Sequence, residues 1–145
     1  MVAREFAFWD ASALVPACVR QAGTPQADIN LTLYTPVVWW GSYVEVRSAI
    51  ARLRRVAILD NRGVLKAVAS LDRLRSIWKT IVPDDSLVDE ACRLLDVYPL
   101  RAADSLQLAA AMVWCHQRPA GRSFIGGDKR LNEAANRAGF AVVEI

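Results

Sequence analysis

The chain has 145 residues, a net charge of +3 and an apolar fraction of 54%. That length suffices for one compact domain with a substantial core, and the apolar excess implies either a large core or a surface that another chain covers. Arg, Asp or Gln interrupts every apolar run before it reaches membrane-spanning length, and Met1-Val2-Ala3-Arg4-Glu5 lacks the order of a signal peptide, so a cytoplasmic protein with no membrane contact is expected.

Phe6 to Trp9 reads as a buried strand and Ala11 to Gln21 as a helix, stopped by Gly23-Thr24-Pro25. A short helix is expected over Gln26 to Leu33, then a strand over Val37-Val38-Trp39-Trp40. Ser42 to Arg54 is helical, with Val46, Ala49, Ile50 and Leu53 on one face. Gly63 to Thr80 continues that spacing through Val64, Leu65, Val68, Leu71, Leu74 and Trp78. Ile81-Val82-Pro83 reads as a short strand, and Asp84-Asp85-Ser86 caps a helix to about Val97. Ala102 to His116 is apolar nearly all round and therefore a buried helix. Ser123 to Ile125 is a strand, Lys129 to Ala138 a helix stopped by Gly139, and Ala141 to Val143 a last strand. Strands alternating with helices predict an α/β fold, a three-layer α/β/α sandwich around a mostly parallel sheet of four or five strands, in one domain spanning residues 1–145.

Four carboxylates stand where an acid is unfavourable. Asp10 closes an apolar strand, Glu45 borders the apolar stripe of its helix, Asp104 lies in a nearly apolar helix, and Asp128 follows Phe124-Ile125-Gly126-Gly127. An isolated buried charge must be paired, neutralised or metal-bound. Each acid has a plainer reading: a helix cap for Asp10 and Asp128, a helix margin for Glu45, a first-turn dipole partner for Asp104. Together, however, they map to one edge of the predicted sheet, where open α/β folds place their sites. Oxygen donors without imidazole or thiolate select Mg²⁺ or Mn²⁺. The single histidine, His116, and three scattered cysteines, Cys18, Cys92 and Cys115, exclude multi-histidine sites and a disulfide framework. Hard cations serve phosphoryl chemistry by activating water and steadying attacking and leaving oxygens.

Charge is uneven. Arg47 to Lys79 holds nine basic residues against two acids, and the rest of the chain nine against thirteen. A basic half beside an acidic site suits a polyanion; solvated helix faces are the plainer account. The tryptophans Trp9, Trp39, Trp40, Trp78 and Trp114 are expected in the core rather than stacked on bases.

Four blocks now resemble a known family. Phe8-Trp9-Asp10-Ala11-Ser12-Ala13-Leu14-Val15, Trp39-Trp40-Gly41-Ser42-Tyr43-Val44-Glu45-Val46, Leu100-Arg101-Ala102-Ala103-Asp104-Ser105-Leu106-Gln107-Leu108-Ala109 and Phe124-Ile125-Gly126-Gly127-Asp128-Lys129-Arg130-Leu131 are similar, in that order, to the motifs of PIN-domain nucleases. Length and acid order look most like the VapC-type toxins of type II toxin–antitoxin pairs. The resemblance implies a Mg²⁺-dependent endoribonuclease, with Mn²⁺ able to substitute, acting on RNA, forming a homodimer and bound by an antitoxin. It implies an acidic tetrad of Asp10, Glu45, Asp104 and Asp128, supported by Ser12. One position departs: a Thr or Ser often lies two residues before the fourth acid, and here that residue is Gly126.

Other classes stay in view. An inactive PIN-like module that binds RNA or a partner keeps the fold and drops the activity. A phosphoacceptor receiver domain also binds Mg²⁺ at strand ends, but it needs adjacent acids after the first strand, where this chain has Trp9-Asp10-Ala11. An Asp-x-Asp phosphatase meets Ser12 at its second acid.

Overall fold

The computed structural model describes residues 3–145. Five strands form one parallel sheet in the order β3-β2-β1-β4-β5: β1 Glu5–Trp9, β2 Tyr34–Trp39, β3 Lys79–Ile81, β4 Ser123–Gly126 and β5 Ala141–Glu144. The helices are α1 Ala11–Cys18, α2 Thr24–Leu33, α3 Ser42–Arg55, α4 Asn61–Arg75, α5 Asp85–Val97, α6 Ala102–Trp114 and α7 Lys129–Ala138. The predicted three-layer arrangement is present. Strand alternation sends Phe8, Val37, Trp39 and Phe124 to the face covered by α5, α6 and α7, and Ala7, Trp9, Val38 and Ile125 to the face covered by α1 to α4. Phe8 and Phe124 stack across the sheet, centroids 5.4 Å apart.

Chain direction across the sheet reverses at β1. From β1 the strands run outward through β2 to β3, then return to the other side of β1 as β4 and β5. The carboxyl ends of β1 and β4 therefore flank a topological switch point, where crossovers diverge and leave a crevice.

Some boundaries differ from the sequence reading. The first helix stops at Cys18 rather than Gln21: Pro16 lies inside it, and the Thr24 hydroxyl donates to the buried carbonyl of Pro16 at 2.7 Å. The second strand starts at Tyr34 and carries Pro36, one residue before pairing with β3 begins at Val37, so its missing N–H faces no β3 partner. Apolar spacing through Leu74 and Trp78 suggested one helix to Thr80; α4 stops at Arg75, where the Ser76 hydroxyl binds the Arg73 carbonyl at 2.6 Å and Lys79–Ile81 pairs with β2 instead. The helix expected to reach His116 ends two residues earlier, at Trp114, and His116 and Gln117 take positive φ. Trp40, expected inside a strand, is in a turn and 60% exposed. All three cysteines are free.

Candidate active site

Asp10 follows β1 directly, and its amide donates to the Ile125 carbonyl of β4 at 3.1 Å. Its side chain caps α1: Oδ1 accepts from the Ala13 amide at 3.1 Å and from the Ser12 hydroxyl at 2.6 Å. The cap reading is thus correct for Asp10, but it occupies one oxygen, and Oδ2 has no protein partner among the described residues. Ser12 Oγ also accepts from the Gly127 amide at 2.8 Å, so one hydroxyl ties the first acid to the loop of the fourth. A β-carbon at Gly127 would meet the Ser12 carbonyl at 3.1 Å, and this close approach of two backbones favours glycine there.

Glu45 stands in the first turn of α3, half-buried. Gln107 Nε2 donates to Glu45 Oε1 at 3.2 Å and to the buried Ser42 hydroxyl at 2.7 Å. Asp104, also half-buried, is in the first turn of α6. Asp128 caps α7, accepting from the Leu131 amide at 2.8 Å, and is exposed. The expectation that all four acids occupy unfavourable positions therefore fails for Asp128, which water solvates.

Electrostatics link the four. Burial pushes the Asp10 carboxyl up to about 7, against the Ser12 and Ala13 hydrogen bonds, and the charges of Asp128 and Glu45 add to the rise. Burial also raises Glu45; the Gln107 hydrogen bond opposes it and the Asp104 charge reinforces it. Asp104 is raised by burial and then by Asp128, with the Arg101 amide and the Arg101 and Arg130 guanidiniums pulling the other way. Each acid thus raises, or is raised by, two of the others in a closed ring.

Among the described residues, no three His, Cys, Asp or Glu side chains converge closely enough to hold one ion. Uncompensated like charges repel, and rotation of Glu45, Asp104 and Asp128, or bridging waters, would be needed to close the set on a cation. The donor chemistry suits a hard divalent ion: carboxylates only, with the sole histidine exposed beyond the end of α6. Three buried polar atoms lack a partner among the described residues, Trp9 Nε1, Gln107 Oε1 and Asn132 Oδ1. Each belongs to a residue adjoining this edge: Trp9 precedes Asp10, Gln107 binds Glu45 and Asn132 binds the Gly126 carbonyl.

A cleft of about 470 Å³ adjoins the acids, lined by Arg101, Ala103, Asp104, Asp128, Lys129 and Arg130. These cations were not singled out by sequence, because they sit next to the acids rather than in the basic run. The run itself lies elsewhere. Arg47, Arg54 and Arg55 line a separate groove of about 410 Å³ with Ile50, Ala51 and Val64. Tyr43 donates to Asp72 at 2.8 Å beneath the Arg75 guanidinium, 4.4 Å from the ring centroid, tying α3 to α4.

No protein-family model matches the chain, and no curated protein sequence matches it. Solved structures do. PAE2754 from Pyrobaculum aerophilum superposes with a TM-score of 0.67 at 18% identity, covering 96% of this chain and 90% of that one. A toxin–antitoxin complex from Klebsiella pneumoniae gives 0.64 at 18% identity, covering 96% and 99%. FitAcB from Neisseria gonorrhoeae gives 0.65 at 13%, covering 96% and 97%. The likeness is one of fold. It runs through almost the whole length of each chain, so the parallel sheet and both helical layers are shared rather than a fragment of them.

Proposed function

We propose that this chain is a single PIN-like nuclease domain, a Mg²⁺- or Mn²⁺-dependent endoribonuclease and the toxin of a VapC-type toxin–antitoxin pair. The observation that carries the reading is the gathering of four acids at a topological switch point, where burial and the charges of neighbouring acids raise Asp10, Glu45 and Asp104. Asp10, Glu45, Asp104 and Asp128 would hold the cation, which when bound activates water and stabilises charge developing on the phosphate. The chain's own residues do the rest. Ser12 fixes one oxygen of Asp10 and, through Gly127, the loop that carries Asp128. Gln107 aims Glu45. Arg101, Lys129 and Arg130 line the cleft beside two of the acids and neutralise the phosphates flanking the scissile bond. Trp40, 60% exposed just beyond β2, offers a ring on which an unpaired base stacks.

The partners in this reading are RNA, a cognate antitoxin and a second copy of the chain, in the cytoplasm. Support for protein partners is the Klebsiella pneumoniae toxin–antitoxin complex of the same fold and the exposure of Val56 and Ile58 before α4, Leu65 on it and Ile77 after it. No helix among the described residues is long and apolar enough to cross a membrane.

The test is cleavage of single-stranded RNA by the purified chain with Mg²⁺, with chelator and as Asp10→Asn. The reading expects cleavage that chelator and substitution both abolish; cleavage that survives either contradicts it. One observation favours an inactive RNA- or partner-binding module, the failure of three acids to converge. A Mn²⁺ titration separates the two, since an inactive site binds Mn²⁺ weakly or not at all.

A further inference from the structure

Position 126 stands beside the first acid. Trp9 pairs with Ile125, and the Asp10 amide donates to the Ile125 carbonyl, so the next residue of β4, Gly126, neighbours Asp10 across the sheet. Alternation turns the side-chain direction of Gly126 to the face of Phe124, covered by α6 and α7. That space is filled. A β-carbon on Gly126 would lie 2.0 Å from Asn132 Oδ1. Asn132 sits in the first half of α7 and is 7% exposed. Its Nδ2 donates to the Gly126 carbonyl at 3.0 Å, which fixes the amide's orientation, because the reverse would set two carbonyl oxygens together. Oδ1 is left buried without a donor among the described residues.

A buried acceptor without a donor is unfavourable, and an apolar side chain would fill the same volume without that cost. The neighbouring acid, in the ionised form that holds a cation, is an acceptor as well, with Oδ2 free. What satisfies both is a donor from outside the protein, and water carried on a hard cation is one, since such ions keep several waters. We propose that Asn132 is a positioning residue of the acid site: its Oδ1 accepts from a water on a cation held beside Asp10, while its Nδ2 holds the Gly126 carbonyl, so that α7 provides the polar group that position 126 lacks. The inference rests on the nuclease reading above. It also explains why glycine and asparagine occur together: any side chain at 126 would displace the Asn132 amide.

The experiment is a Mn²⁺ titration of the full chain by electron paramagnetic resonance, with thermal unfolding run alongside. Asn132→Ala is expected to keep the fold and weaken Mn²⁺ binding about 10-fold, the range for outer hydrogen-bond partners of a metal site. Gly126→Ser alone should lower the unfolding midpoint and weaken binding, because its β-carbon strikes the amide. Gly126→Ser combined with Asn132→Ala should recover both, to within about 3-fold in affinity, the signature of two residues sharing one space. If Asn132→Ala does not fold, the double variant carries the test alone. Unchanged affinity in Asn132→Ala, or a double variant no better than Gly126→Ser, overturns the role of Asn132. Should the wild type bind Mn²⁺ and lose it in Asp10→Asn while Asn132→Ala is unaffected, the nuclease reading stands and this inference falls; a wild type that binds no Mn²⁺ overturns both.

Discussion

Four helices of this protein begin on an aspartate whose Oδ1 accepts from the amide three residues on: Asp10, Asp60, Asp84 and Asp128. The capping hydrogen bond is the same at all four, and surroundings are not. Asp84 is in open solvent, and the Leu87 amide followed by the Ser86 hydroxyl holds its carboxyl below the usual range. Asp10, capping in the same manner, is 2% exposed and pushed up to about 7. A cap consumes one oxygen and says nothing of the second. Capping and cation binding are therefore not competing explanations: burial separates the α1 cap, and the neighbouring acids on which its charge acts separate the exposed α7 cap, from the ordinary caps of α4 and α5.

The sharpest way to break that comparison is to neutralise each cap. Asp10→Asn should cut RNA cleavage by at least about 100-fold, beyond the loss of an outer partner. Asp60→Asn and Asp84→Asn should stay within about 2-fold of wild type, since Asn caps nearly as well as Asp.

The same pair should separate in stability, with opposite signs. Between the ordinary carboxylate value and about 7, folded Asp10 keeps a proton that the unfolded chain has lost, so stability falls as pH rises through that window and is level above it. Urea unfolding should then find Asp10→Asn more stable than wild type at pH 8, by up to about 4 kcal/mol, and equal to it near pH 3. Asp84, held low, contributes stability above its ordinary value that is lost as pH falls through its folded value. Asp84→Ala should therefore destabilise at pH 7 and lose that effect in acid.

Basic residues offer a second contrast. Arg101→Ala with Arg130→Ala should raise KM for RNA about 10-fold and flatten its salt dependence, through the loss of phosphate contacts in the acid cleft. Arg54→Ala with Arg55→Ala, in the groove beside α3, should change cleavage by less than about 2-fold. The smallest effect expected is that of Trp40→Ala, a loss of RNA affinity of about 5-fold with the unfolding curve unchanged, as befits an exposed ring at the low end of stacking strength.

The alternation of apolar strands and helices was legible because buried parallel strands leave short apolar runs and their crossovers leave helical stripes. What misled was periodicity without stop signals: Leu74 and Trp78 keep helical spacing across the end of α4, and only pairing with β2 breaks it. Within the site, the acids were legible as polar residues interrupting apolar context. Gln107 carried the same signal, a lone amide in the buried length of α6, and its bond to Glu45 had no trace in a sequence separation of 62. Arg101, Lys129 and Arg130 were hidden by ordinariness, since a basic residue near an acid on a helix end reads as a surface pair. The run from Arg47 to Lys79 stood out in composition, yet part of it ties α3 to α4 and part lines the other groove.

The central claim is that Asp10, Glu45, Asp104 and Asp128 form one hard-cation site. A crystal grown with Mn²⁺ and examined by anomalous scattering tests it most directly. The account predicts an anomalous peak at the carboxyl ends of β1 and β4, ligated by Asp10 and at least one of the other three acids, and absent in Asp10→Asn. Mn²⁺ bound only at surface acids such as Asp84 and Asp85, with nothing beside Asp10, would contradict it.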